Sequence, residues 1–359
     1  MAKSKQLEMF PQEQPPVDLG IIKSSIQKAY RRNHKELMEW SFNWLWRLDP
    51  KWLVWRTPIF PAEEAWQNLL ETGKIVRQVE TKMTTPNPQA MKNCANLLYN
   101  HLVETMGTTK NKDGDGMRTI AEIAAQKEGR QREKLVEAVK AKVPEEAHKS
   151  LDKMIEVEEF AAKNRFVPKE VWGEIWDRVV SLGERKEELG KTQQDYQDLR
   201  DIVGAAYFRG KKGGMVGDRT LLVSVALLAM DDWEYGIYGG LKKLPPSKKV
   251  LKEDDFDGNP QSKPPVWCID MHTGYGKRML AYLAKKYPYQ KMALDWVWFI
   301  KESARVNETD PTSIWWPLAE KVVPMALGFN LKQLNEEIWP EMWELIQKKI
   351  GQWLEEESK

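Results

Sequence analysis

Seventeen tryptophans, six of them between Trp40 and Trp66, constrain the fold of this chain more than any other feature. An indole buries a large area and needs a partner for its N–H, so tryptophans in this number require thick, well-packed walls. Their spacing is helical. Trp40 and Trp44 continue a stripe begun by Ile22, Ile26, Tyr30 and Leu37, and Trp172 and Trp176 share one with Val171, Ile175 and Val179. Trp343 and Trp353 share another with Ile346 and Ile350. Steps of three and four residues mark one face of a helix, whereas strands alternate. The expectation is therefore an all-α protein, with one or more Trp-rich multi-helix domains joined by long loops. Two roles stand for the indoles: a helical core, or a stacking platform for unpaired bases.

Composition narrows the setting. Charged residues are 30% of the chain and cancel to +2, so only local clusters could attract nucleic acid. Two cysteines, Cys94 and Cys268, are too few for a disulfide framework and fit a reducing, cytoplasmic location. The N-terminus lacks the apolar core of a signal peptide, and no run of ~18 apolar residues suggests a membrane span. The longest apolar run, residues 221–230, reads as a buried core helix.

Four regions follow from the pattern. Residues 1–20, with Pro11, Pro15 and Pro16, form a flexible, disordered tail. Residues 21–110 are an N-terminal helical region. It holds a single helix over 21–48, a break at Asp49-Pro50, a second helical segment over 51–71 turned at Pro58 and Pro61, and a helix over 89–105. Residues 111–165 are charge-rich and contain one aromatic, Phe160; they read as a helical arm projecting from the body. Residues 166–359 return to tryptophan, with a long connection over 245–265.

Four stretches bear on function. Gln6-Leu7-Glu8-Met9-Phe10 resembles the short peptide by which bacterial proteins dock on the replication sliding clamp. Leu7, Met9 and Phe10 would enter apolar pockets and Gln6 would make the polar contacts. Asn111, Asp113, Asp115, Gly116 and Glu122 occupy positions one, three, five, six and twelve of a stretch that resembles an EF-hand loop and would take Ca2+. The first ligand departs from that pattern, being Asn, and Arg118 stands where an aliphatic residue is usual. The other reading of this stretch is a polar loop that caps the next helix.

Basic residues form the third candidate. Lys28, Arg31, Arg32 and Lys35 lie three or four apart, away from the apolar stripe, and Arg209, Lys211, Lys212 and Arg219 surround a glycine-rich loop. Both sets would suit phosphate contacts, and both equally suit a solvated face or linker. The loop lacks the spacing of a Walker A motif. The fourth stretch, residues 264–284, sets Asp270, His272 and Thr273 before a helix, with Lys277 just inside it. This is either an acid–base centre or a helix cap. No complete catalytic signature and no further cofactor motif is present.

Taken in order, these stretches look similar to the helical C-terminal half of the MgsA/RarA family, the clamp-loader-like AAA+ ATPases. The matching parts are the basic helix followed by Trp55-Arg56 and Glu63-Glu64, then residues 221–230, then the Pro264–His272–Gly274-Tyr-Gly-Lys277 pattern. The resemblance covers about half the chain and lacks the ATPase module. It implies a collar-like scaffold, with oligomerisation or membership of a larger assembly open. The functional expectation is a non-catalytic accessory protein of DNA replication or repair that binds the sliding clamp and touches DNA. The alternatives are an enzyme centred on Asp270 and His272, or a calcium-stabilised structural protein.

Overall fold

The computed structural model describes residues 14–84, 87–107, 111–211, 215–241, 244, 256–303 and 310–356. Among these residues all regular structure is helical, and one isolated bridge pairs Ala65 with Asn111. No helix among them is long and apolar enough to cross a membrane.

The stretch 21–48 is two helices rather than one, α1 (Leu19–Arg32) and α2 (Lys35–Leu48). The break is local chemistry. Asn33 takes the left-handed conformation at φ 58°, which asparagine tolerates better than most residues, and its N–H closes α1 on Ala29 O. His34 then starts α2, its Nδ1 accepting from Leu37 N. Asp49 caps α3 (Pro50–Arg56), with proline at the first turn where its missing N–H costs nothing. Next come α4 (Ile59–Glu64), α5 (Leu69–Met83) and α6 (Pro88–Thr105). The apolar faces of α1, α2, α5 and α6 close one core around Ile22, Trp40, Trp44 and Leu98.

A second and larger core surrounds α12 (Val216–Tyr235). Its residues 221–230 are all buried, as a helix apolar on every side requires. Against it pack α7 (Asp113–Ala125), α9 (His148–Asn164), α10 (Lys169–Glu184) and α11 (Gln193–Lys211). Within residues 111–165, α7 and α9 therefore pack into this core. Leu151, Met154, Ile155 and Ala161 give α9 a buried stripe inside this core, while Asp152 and Glu156 stay exposed. The short α8 (Gly129–Lys140) lies at its edge beside α15 (Trp315–Ala326). A third core joins α13 (Gly274–Lys286), α14 (Lys291–Trp298) and α16 (Trp339–Glu356) to Ile21 of α1.

The indoles are wall material. Trp40, Trp44, Trp66, Trp298, Trp315 and Trp316 are among the largest fully buried side chains. Trp40 and Trp44 both donate Nε1–H to Pro260 O, at 3.1 and 3.3 Å, and so pin the segment after residue 255 onto α2. Trp315 donates to the Tyr238 hydroxyl at 2.8 Å.

Candidate functional site: an interior ion network and a lysine-rimmed groove

The basic face of α1 points inward, not to solvent. Lys28, Arg31 and Arg32 are 0%, 7% and 1% exposed. Arg31 holds Glu64 through Nε and Glu63 Oε2 through Nη2, the latter at 2.7 Å. Glu63 Oε1 accepts from Arg56 Nη2 at 2.7 Å, and Arg56 Nη1 reaches Asp218 Oδ1, at the head of α12, at 2.6 Å. Lys112 Nζ stands 3.6 Å from Glu64 Oε1 and over the Trp316 ring. Arg32 pairs with Glu302 and stacks 4.2 Å over Trp267. Lys28 Nζ donates to Trp267 O at 2.7 Å. Burial pulls the Lys28 pKa down to about 8, with Glu302 opposing. A phosphate could reach these cations only by displacing buried carboxylates, whose desolvation the pairing offsets. Arg209 is likewise buried, against Glu80. Of the remaining basic candidates, Lys35 and Lys211 are exposed, Arg219 is half-buried and Lys212 lies outside the described residues.

The stretch 111–122 is not a loop around an ion. It is helical from Asp113 onward, so its third, fifth and twelfth positions follow a helix instead of wrapping a centre. Asp113 caps a different helix. Its Oδ1 accepts from Ser313 Oγ, Ile314 N, Trp315 N and Trp316 N at 2.8, 2.9, 2.7 and 3.2 Å, at the start of α15. Asn111 Oδ1 accepts from Asp113 N, and Glu122 pairs with Arg118 one turn away. Gly116 is there for close approach: a Cβ would stand 2.6 Å from backbone atoms of Trp315 and Trp316. These residues do not fit a calcium ion. No group of three or more His, Cys, Asp or Glu among the described residues is arranged to hold a metal.

Arg118 serves several acids at once. It contacts Asp115 and Glu122 and acts electrostatically on Glu158. One guanidinium cannot balance three carboxylates, and burial pushes the Glu158 pKa up to about 7, with Arg118 opposing and Glu122 adding to the rise. Between the ordinary glutamate value and pH 7 the folded protein thus keeps a proton that the unfolded chain has lost. Stability from this group is fully present at low pH and falls as pH rises through that window. Glu158→Gln, which stays neutral, removes the slope. Its stability relative to wild type is expected to rise by about 3 kcal/mol between pH 4.5 and 8, measured by urea unfolding. A difference that does not change with pH would mean that Glu158 is charged in the folded state.

Asp270 and Thr273 shape a turn. Asp270 is buried; it accepts from Ser24 Oγ at 3.0 Å and from His272 N at 2.9 Å. Burial acts to raise its pKa, but His272, Lys28 and these hydrogen bonds outweigh it and hold the carboxyl below the usual range. Thr273 Oγ1 caps α13 by accepting from Gly276 N. Residue 276 must be glycine, because a Cβ would fall 1.7 Å from Asp270 O. The His272 and Lys277 side chains are exposed on this turn.

The feature that sequence reading missed is a groove between α8 and α15, with a volume of about 1160 Å3. Leu135, Ala138, Leu318, Val322 and Met325 line it, and Lys127, Lys134, Lys142 and Lys321 stand among the lining residues. Lysines at seven- and eight-residue spacing around Leu135 were a visible signal. The opposite wall is some 180 residues further along the chain.

The peptide Gln6-Leu7-Glu8-Met9-Phe10 lies outside the described residues. In comparisons with known proteins, no family model, curated protein or solved structure matched the chain.

Proposed function

We propose that this chain is a non-catalytic accessory protein of DNA replication or repair, docked on the sliding clamp through Gln6, Leu7, Met9 and Phe10. One observation carries the reading: two of the stretches similar to the MgsA/RarA collar half, and Asp218 just ahead of the remaining one at residues 221–230, are bonded together around α1. Arg31 of α1, Arg56, Glu63-Glu64 and Asp218 form a single buried network. Residues 264–284 join the same helix through Lys28 to Trp267 O and Ser24 to Asp270. Such a junction suits a scaffold whose working contacts are made elsewhere, by its surface and by residues 6–10. Of the acid–base candidate, Asp270 and Thr273 are engaged as turn partner and helix cap, while His272 and Lys277 stand exposed beside them. DNA contact belongs to this proposal through the exposed Lys35 and Lys211, not through the buried part of α1.

The test is binding of the full-length protein to a bacterial sliding clamp by calorimetry. A dissociation constant on the order of micromolar is expected, as for short peptides that order on binding. Gln6→Ala with Phe10→Ala should weaken it by more than about tenfold. Absent binding, or binding that the double substitution leaves unchanged, would overturn the clamp assignment.

A further inference from the structure

We infer that the groove between α8 and α15 is a docking site for an acidic amphipathic helix of a partner protein. The inference does not depend on the clamp reading, because it concerns a different surface and a different partner.

Charge is the first argument. Four lysines lie among the residues lining the groove, and none of those residues is acidic. Lys134, Lys142 and Lys321 are exposed, and Lys127 donates to Ala326 O at the groove's edge. No lining carboxylate offsets them, although Glu320 acts on Lys321 from beside the groove, and an occupant with carboxylates would complement the lysines. The floor is the second argument. Leu135, Ala138, Leu318, Val322 and Met325 are apolar, and Met325, at 70%, is the most exposed large hydrophobic side chain among the described residues. Apolar side chains gathered within a polar rim suit an interaction site.

Length and chemistry select the occupant. The 12 residues of α8 run about 18 Å, which matches three to four turns of a helix laid alongside. Lys134 stands within α8, and Lys127 and Lys142 lie two residues beyond its two ends, so the lysines do not cluster at one end. A single acidic head group would engage one of them. A helix with an apolar stripe and flanking glutamates would engage all, seating leucine-like anchors on the floor. Nucleic acid fits less well: no aromatic side chain lines the groove on which an unpaired base could stack.

The experiment selects a displayed library of 18-residue helices on the full-length protein. Each helix carries leucine at i, i+3, i+4 and i+7, with flanking positions randomised among Glu, Gln and Lys. Enrichment of Glu on both flanks is expected. The selected peptide should bind the wild type and lose at least about tenfold in affinity to Lys134→Glu with Lys321→Glu, and similarly to Met325→Glu. All three substituted positions are exposed, so thermal melts should match the wild type. A single-stranded oligonucleotide and phosphatidylglycerol vesicles are measured against the same variants. The proposal is overturned by a selection without acidic preference, by peptides that bind the variants as well as the wild type, or by either control competing for the groove more tightly than the peptide.

Discussion

Arg31→Ala is expected to lower the free energy of unfolding by about 3–5 kcal/mol, the range for breaking a buried ion pair by removing one partner. The large effect follows from what is left behind. Glu64 is 1% exposed and Glu63 14% at their side chains, and Asp115 also feels the Arg31 charge. Without Arg31 these carboxylates keep Arg56, Lys112 and Arg118, too few and too far to solvate every oxygen. Arg31→Lys should recover less than half of the loss, because one ammonium cannot present the fork that divides between Glu63 and Glu64. Urea unfolding of the two variants decides it. A loss below about 1 kcal/mol for alanine would mean that water or protons reach the carboxylates in the folded state.

Asp113→Ala is expected to cost a similar amount, about 3–5 kcal/mol, through unpaired donors instead of unpaired charge. Ser313 Oγ and the amides of Ile314, Trp315 and Trp316 would all lose one acceptor at the buried start of α15. Burial raises the Asp113 pKa to about 6, against the pull of those hydrogen bonds. Oδ1 does nearly all the accepting; Oδ2 makes one contact, with Ile314 N at 3.2 Å. Asp113→Asn keeps an oxygen in that place and should cost less than about 2 kcal/mol. If asparagine were as harmful as alanine, the negative charge at the helix start would matter more than the acceptor. Thermal melts of the wild type with calcium and with chelator should give one midpoint; an upward shift with calcium that Asp113→Asn abolishes would place an ion there instead.

Stretch 111–122 shows what a sequence conceals. Asp-Gly-Asp-Gly followed by a glutamate has the spacing of a calcium loop, and the glycines suggest a sharp turn. The same letters serve a helix that must touch another backbone. Gly116 gives α7 room beneath Trp315 and Trp316, and Asp113 meets the amides of a segment about 200 residues away. Spacing along the chain is common to both arrangements, and only the distant partner tells them apart. The basic run of α1 is a second case. Its three- and four-residue spacing was legible, but a solvated face and a buried one differ in whether carboxylates from α4 and elsewhere meet it. By contrast, Thr273 as a cap was readable, because its partner, Gly276 N, is local.

The sequence by itself determined the helical class, the helical spacing of the tryptophans, the wholly buried helix at 221–230 and the Thr273 cap. These depend on periodicity and on contacts within a turn or two, which the order of residues encodes directly. Only the tertiary structure decided which way the charges of α1 face, that α7 and α9 lie within the core around α12, and that α8 and α15 form a groove. Those depend on desolvation and on pairing between side chains that are remote in the chain. A cation's fate is set by whether a carboxylate meets it in the interior, and no local pattern specifies that meeting.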